Sequence, residues 1–281
     1  MNGGTKIRRQ RDPLSLFLRL AVWTAAGLTM AVLLVLVGYI LIKGVPHLRP
    51  SLFAWNYNSE NVSLMPALIN TLFMTAAALL LAVPVGIGAA IYLVEYAGRG
   101  NKLVGLVRLT AETLSGIPSI VYGLFGALFF VKRLGWGLSL LSGACTLAVM
   151  ILPLVMRTTE EALLGVSDSY REGSFGLGAG KLRTVARIVL PSAVPGILSG
   201  VILGVGRIVG ESAALIYTAG TVAVAAGSVF DSARTLSVHM YAISGEGLYI
   251  DQTYATAVVL LLLVILINAL SGFVAKRLSR T

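Results

Sequence analysis

Cysteine occurs once, histidine twice, and charged side chains make up only 12% of the 281 residues. The lone Cys145, inside an apolar run, excludes an intramolecular disulfide and a cysteine-based metal cluster. His47 and His239 lie too far apart for the His-x-x-x-His spacing of a helical zinc site, so neither a metal nor another cofactor is expected. No Gly-x-Ser-x-Gly elbow with a histidine partner occurs, which leaves nucleophilic hydrolysis without support. Soluble domains carry about 25% charged residues. With 57% hydrophobic side chains and a mean hydropathy of +0.87, this composition belongs to a membrane protein. Apolar runs long enough to cross a ~30 Å hydrocarbon core consume nearly half the chain, so no large soluble catalytic domain fits.

Six runs are present, at about 17–42, 67–94, 114–131, 138–156, 193–215 and 253–274. The first follows KIRRQR at 6–11, the charge order of a signal peptide, but it is too long for one and reads as a retained span. Arg8 and Arg9 read as a cytoplasmic anchor rather than a twin-arginine export signal. Pro84, Pro118 and Pro153 are compatible with spanning helices, because neighbouring spans can satisfy the backbone groups they free. Lys and Arg number 22 against 12 Asp and Glu, and the excess serves orientation rather than nucleic-acid binding. With the N-terminus in the cytoplasm, 16 of the 22 fall in inside segments, among them Arg99, Lys102 and Arg108. Lys132 and Arg133 run against this bias. Both termini are therefore expected in the cytoplasm, and the connections at about 157–192 and 216–252 are long enough to carry function.

Two segments imitate nucleotide-binding loops. FGLGAGKL at 175–182 has Phe175 where a Walker loop needs its first glycine and Leu182 where it needs Ser or Thr, and no strand is expected before it. Gly204, Gly206 and Gly210 are one residue off the dinucleotide fingerprint and fall inside an apolar run. Nucleotide binding by this chain is not expected.

The inner connection reads EGSFGLGAGKLRTVARIVLP from Glu172 to Pro191. A short helix near 170–177, broken by Gly176, Gly178 and Gly180 and then resumed, makes a helix-turn-helix outside the membrane. Small residues at Gly173 and Ser174 would let a partner surface approach. Lys181, Arg183 and Arg187 can equally serve as inside-positive charge near lipid headgroups. This stretch resembles the coupling loop of bacterial ABC importer permeases, with Glu172, Gly178, Ile188, Leu190 and Pro191 on that family's pattern and Gly173 and Ser174 replacing its two alanines. GluGluAlaLeu at 160–163 is a decoy, since no glycine follows at the required distance.

The resemblance extends over nearly the whole chain and narrows to phosphate-import permeases of the PstA type. It is carried by MPALINTLFMT (65–75), PVGIGAAIYLVEYA (84–97), TLSGIPSIVYGLFG (113–126), LPLVMRTTEEAL (152–163), GRIVGESAAL (206–215) and TLSVHMY (235–241). Asn70 and Ser212 depart from the glycine and threonine expected there, and Asn70 weakens the case for tight packing at that point. The resemblance implies an all-α polytopic fold of six transmembrane helices, the MetI-like permease fold. Residues 1–66 would hold the cytoplasmic start, first span and first outer loop; 67–275 the permease core with the coupling loop at 157–192; and 276–281 a cytoplasmic tail. It also implies a non-catalytic subunit of the bacterial inner membrane with three kinds of partner. These are a PstC-like sister permease, two PstB-like ATP-binding cassette subunits and a PstS-like extracytoplasmic phosphate-binding protein. Apart from the resemblance, Gly86, Gly88, Gly116, Gly123 and Gly126 read as close helix packing. Glu95 and Tyr96 read as an interfacial span end, and Trp55 and Trp136 as headgroup anchors.

The fifth run places Arg207 and Glu211 among apolar residues. On a regular helix at about 100° per residue, Gly196, Gly200, Gly204, Arg207 and Glu211 share an arc of roughly 80°, with Arg207 ~21 Å beyond Ala193. Glycines at every fourth position turn that face toward protein or a cavity. The two charges form either a self-neutralising ion pair or a substrate pathway, and a guanidinium's forked donors suit phosphate oxygens. The expected function is half of a membrane pathway for inorganic phosphate, powered by ATP hydrolysis in another chain. Sulfate or molybdate import is the alternative. A stand-alone secondary transporter would be expected to show midplane carboxylates or inverted repeats, and would have no use for a docking loop. An intramembrane enzyme would need a nucleophile and base that are missing.

Overall fold

The structure is a computed structural model that describes residues 13–98 and 100–278; the basic 6–11 segment with Arg8 and Arg9, and Arg99, lie outside the described residues. Its main helices are α1 (Pro13–Gly44), α2 (Met65–Ile91), α3 (Lys102–Ser115), α4 (Ser119–Gly126), α5 (Leu140–Leu164), α6 (Asp168–Gly176), α7 (Lys181–Thr184), α8 (Leu190–Val209), α9 (Ala213–Thr218), α10 (Leu236–Glu246) and α11 (Ile250–Leu278). Wider π-helical turns extend α2 through Tyr92–Tyr96, extend α4 through Ala127–Arg133, and join α7 to α8 through Val185–Val189. No strand occurs among the described residues, as expected where each segment must satisfy its own backbone in lipid.

Among the described residues, five helices are long and apolar enough to cross a membrane: Leu14–His47, Met65–Tyr96, Leu140–Leu164, Lys181–Val209 and Ile250–Phe273. The third expected span differs from the sequence reading. Instead of one helix over 114–131, α3 and α4 meet at 102° and make a sixth crossing only if counted together. Pro118, which cannot continue a helix from the preceding turn, N-caps α4 and sets the break. At the far end of the chain, α11 runs through the expected core boundary at 275 to Leu278.

The core lies between α2 and α5. Ala78, Ala82, Gly86 and Ala90 recur every fourth residue on α2, and all are buried. A side chain at Gly86 would press on Val155 Cγ1 at 2.9 Å. Small residues matter here because lipid gives apolar helices no reason to associate beyond contact itself, so backbones must come close enough for dispersion to act. Pro153 and Pro84 are carried inside α5 and α2. By contrast α1 is exposed along most of its length and meets the body near its end, where Gly44 lies against the Tyr254 backbone and the Tyr39 and Tyr254 rings pack edge to face.

Candidate functional site

Helix α8 presents its glycines to α5 as the spacing predicts. A Cβ at Gly196 would stand 2.6 Å from Ala162 Cβ, and one at Gly200 would collide with Thr158. Gly204 faces Ile151 and Val155 at ordinary contact distance. Arg207 follows within one turn and is half-buried. Its charge reaches the Tyr122 hydroxyl of α4, which donates to the Leu114 carbonyl at 2.7 Å.

Glu211 does not share that helical face. α8 stops at Val209 and Gly210 caps it, because the chain turns there to start α9. The Glu211 carboxylate accepts a hydrogen bond from Ala214 N at 3.0 Å, and its carbonyl accepts from Ser237 Oγ of α10. Glu211 therefore fastens α9 and α10, with only 9% of its surface exposed. Among the described residues no ion pair joins Arg207 to Glu211 or to another carboxylate, so the self-neutralising pair allowed by the sequence is not formed. What the arrangement offers is a guanidinium in a membrane-spanning helix whose donors are not spent on a fixed anion.

The expected helix-turn-helix is present between α5 and α8, with α6 starting two residues earlier than the sequence suggested. Ser167 caps α6, accepting from Ser169 N. Gly176 stays in the helix, and the chain reverses at Gly178, whose φ of +82° is readily adopted only by glycine. Glu172 and Gly173 are exposed, and space around Gly173 and Gly178 is open. Ser174 is the exception: it is buried and shares a hydrogen bond with Thr184 at 2.8 Å, locking α6 onto α7 rather than presenting a small surface. Ile188 and Leu190 are half-buried and Pro191 is exposed in the first turn of α8, so these three shape the return into the membrane. Leu177 at the turn is 91% exposed, which a passive linker has no reason to offer.

Three functional candidates escaped the sequence reading. Glu95, expected to mark a span end, is the partner of Arg171 on α6, and the Tyr96 ring lies 5.2 Å from the Lys181 ammonium on α7. The available signal is a lone carboxylate, Glu95, directly at the end of the second apolar run. Its partner was not legible, since the two are 76 residues apart. Asn70, which by sequence gives no support for tight packing, is fully buried. Its amide donates to the carbonyls of Val224 (2.9 Å) and Arg234 (3.2 Å) and accepts from Ala226 N (2.9 Å), binding the 221–236 segment to α2.

Next to that segment, outside the spanning helices, His239 is completely buried on α10. Its Nδ1 faces the Arg234 guanidinium at 3.3 Å, and Nε2 is buried without a hydrogen-bond partner. Burial, then the Arg234 charge, lowers its pKa to about 4. The unfolded chain, with histidine near 6.5, binds more protons between these values, so stability is complete above pH ~6.5 and declines as pH falls toward 4, by roughly 3 kcal/mol. Melting of the detergent-solubilised protein at pH 7 and pH 4.5 should show this decline in wild type. His239→Gln should reduce the difference, and an equal difference in both proteins rules out this origin.

Residues 82–281 match the family described as binding-protein-dependent transport system inner membrane component. A probable ABC transporter permease protein of Bacillus subtilis, YqgI, is 34% identical over 241 residues, covering 80% of this chain and 82% of that protein. The phosphate transport system permease protein PstA of Haemophilus influenzae is 36% identical over 186 residues, 64% of each chain. PstA 1 of Mycobacterium tuberculosis is 42% identical over 154 residues, 55% of this chain and half of that protein's length. Among solved structures, a bacterial ABC transporter involved in the import of the acidic polysaccharide alginate aligns at a TM-score of 0.64 and 16% identity, covering 95% of this chain and 99% of that one. The MetNI methionine ABC transporter aligns at 0.55 and 21% identity, covering 85% and 96%. These two establish the fold. The family match takes in Arg207 and the entire α6–α7 element, and the chain belongs to the inner membrane components of binding-protein-dependent transport systems.

Proposed function

We propose that this chain is a PstA-type permease, the non-catalytic subunit that forms half of the pathway for inorganic phosphate in an ATP-driven importer. The observation that carries the pathway is Arg207, a half-buried cation in a spanning helix with no carboxylate paired to it among the described residues. Intramembrane charges are costly and tend to line pathways, and a forked guanidinium matches phosphate oxygens. Phosphate itself comes from the names of the PstA relatives. A PstC-like sister permease completes the pathway, and a PstS-like binding protein delivers the anion from outside. Two PstB-like ATPases supply the energy, one of them docking on the exposed residues around Glu172, Gly173 and Gly178. Both termini and α6 lie in the cytoplasm, in keeping with the distribution of Lys and Arg.

The test is the complex reconstituted in phospholipid vesicles, with Cys145→Ser and Leu177→Cys reporting by impermeant labelling which side carries α6. Labelled phosphate should be transported only with ATP on the α6 side, and sulfate or molybdate should not compete. Transport of sulfate at an equal rate, or phosphate flux without the ATPase, overturns the assignment.

A further inference from the structure

Helix α2 is held at both ends, and neither hold involves the Arg207 face. At the α6 end, Glu95 Oε1 accepts from Arg171 Nη2 at 2.7 Å and Nε at 3.1 Å, with side chains only 8% and 14% exposed. Arg171 also donates to the carbonyls of Leu163 and Val166. One guanidinium thus joins α2, the end of α5 and α6. Lys181 over Tyr96 adds a contact to α7. At the opposite end, Asn70 grips the 221–236 segment through three hydrogen bonds, and Thr71 Oγ1 accepts from Leu236 N at 2.8 Å. From Asn70 to Glu95 is roughly 37 Å along a helix, and the small-residue ridge between them lies flush on α5.

We propose that α2 is a rod tying the coupling element to the 221–236 segment on the other membrane face, with Glu95 and Arg171 as positioning residues. A displacement of α6 then moves both ends together. The inference rests on the reading that an ATPase docks on α6. The physical basis is the contrast between the two kinds of joint. A buried, doubly hydrogen-bonded charge pair is short and directional, so α6 cannot shift without pulling α2 or breaking the pair. Breaking it leaves the Glu95 carboxylate buried and unpaired, whereas Arg171 keeps Asp168. At the other end, slipping would leave the fully buried Asn70 amide without its three partners.

The experiment compares labelled inorganic phosphate moved per ATP hydrolysed by the full complex carrying Glu95→Ala, which removes the oxygen that accepts both Arg171 bonds, Asn70→Ala, or both. Each single variant should assemble and hydrolyse ATP while moving about tenfold less phosphate per ATP, a usual size for a broken coupling. The double variant should be no worse than either single, because both cut the same rod. Thr71→Val, which removes one acceptor at nearly constant volume, replaces Asn70→Ala if that variant fails to assemble. A wild-type ratio in Glu95→Ala, losses that multiply in the double variant, or loss of the ATPase from the Glu95→Ala complex overturns the rod. Crosslinking from Leu177→Cys that captures no ATPase in the wild-type background overturns the docking reading instead.

Discussion

Arg207→Gln should cut ATP-dependent phosphate uptake by roughly ten- to a hundredfold, the loss of a charge-assisted hydrogen bond being worth about 1.5–3 kcal/mol. Assembly and basal ATP hydrolysis should be retained, because Arg207 packs beyond the glycines that seat α8 on α5 and anchors no other element. Arg207→Lys keeps the charge but loses the planar fork, and should recover only part of the uptake. Glu211→Gln should be milder, since an amide oxygen can still accept from Ala214 N in place of the carboxylate. The double variant Arg207→Gln/Glu211→Gln should be no better than Arg207→Gln alone. Near-normal uptake by the double variant would restore the mutual ion pair as the explanation and remove Arg207 from the pathway.

Gly178→Asp should abolish uptake and the ATP hydrolysis stimulated by the binding protein while leaving the permease inserted. Two effects combine. The backbone at φ +82° costs an ordinary L-residue about 1–2 kcal/mol, and a carboxylate placed where space is open would be buried without a partner once a docked surface closes over it. Gly178→Asn separates them, because asparagine shares the shape and left-handed tolerance of aspartate but adds no charge; it should retain a substantial part of the uptake. Pull-down of the ATPase with the permease reads docking directly, and an Asp variant that binds its ATPase and transports normally removes 172–178 from the interface.

The membrane class, five of the six crossings and the helix-turn-helix between α5 and α8 follow from the sequence, because each is written in local terms. Long apolar runs report lipid, every-fourth glycines report a close neighbour, and the spacing from Glu172 to Pro191 reports a turn with its return helix. Those signals act within one helix or across a few residues, where backbone geometry fixes which side chains share a face. A straight helix would put Arg207 and Glu211 on one face, and an uninterrupted apolar run would make 114–131 a single rod. Tertiary structure decided otherwise at both places: α8 ends at Val209 with Glu211 turned to cap α9, and Pro118 lets α3 and α4 part at 102°. Partners distant in sequence were equally out of reach. Glu95 finds Arg171 across 76 residues and Asn70 finds Ala226 across 156, while Ser174 turns inward to Thr184. A buried polar side chain takes the partner that the packed chain brings within about 3 Å, and that distance is set by how the helices lie against one another, which no local pattern records.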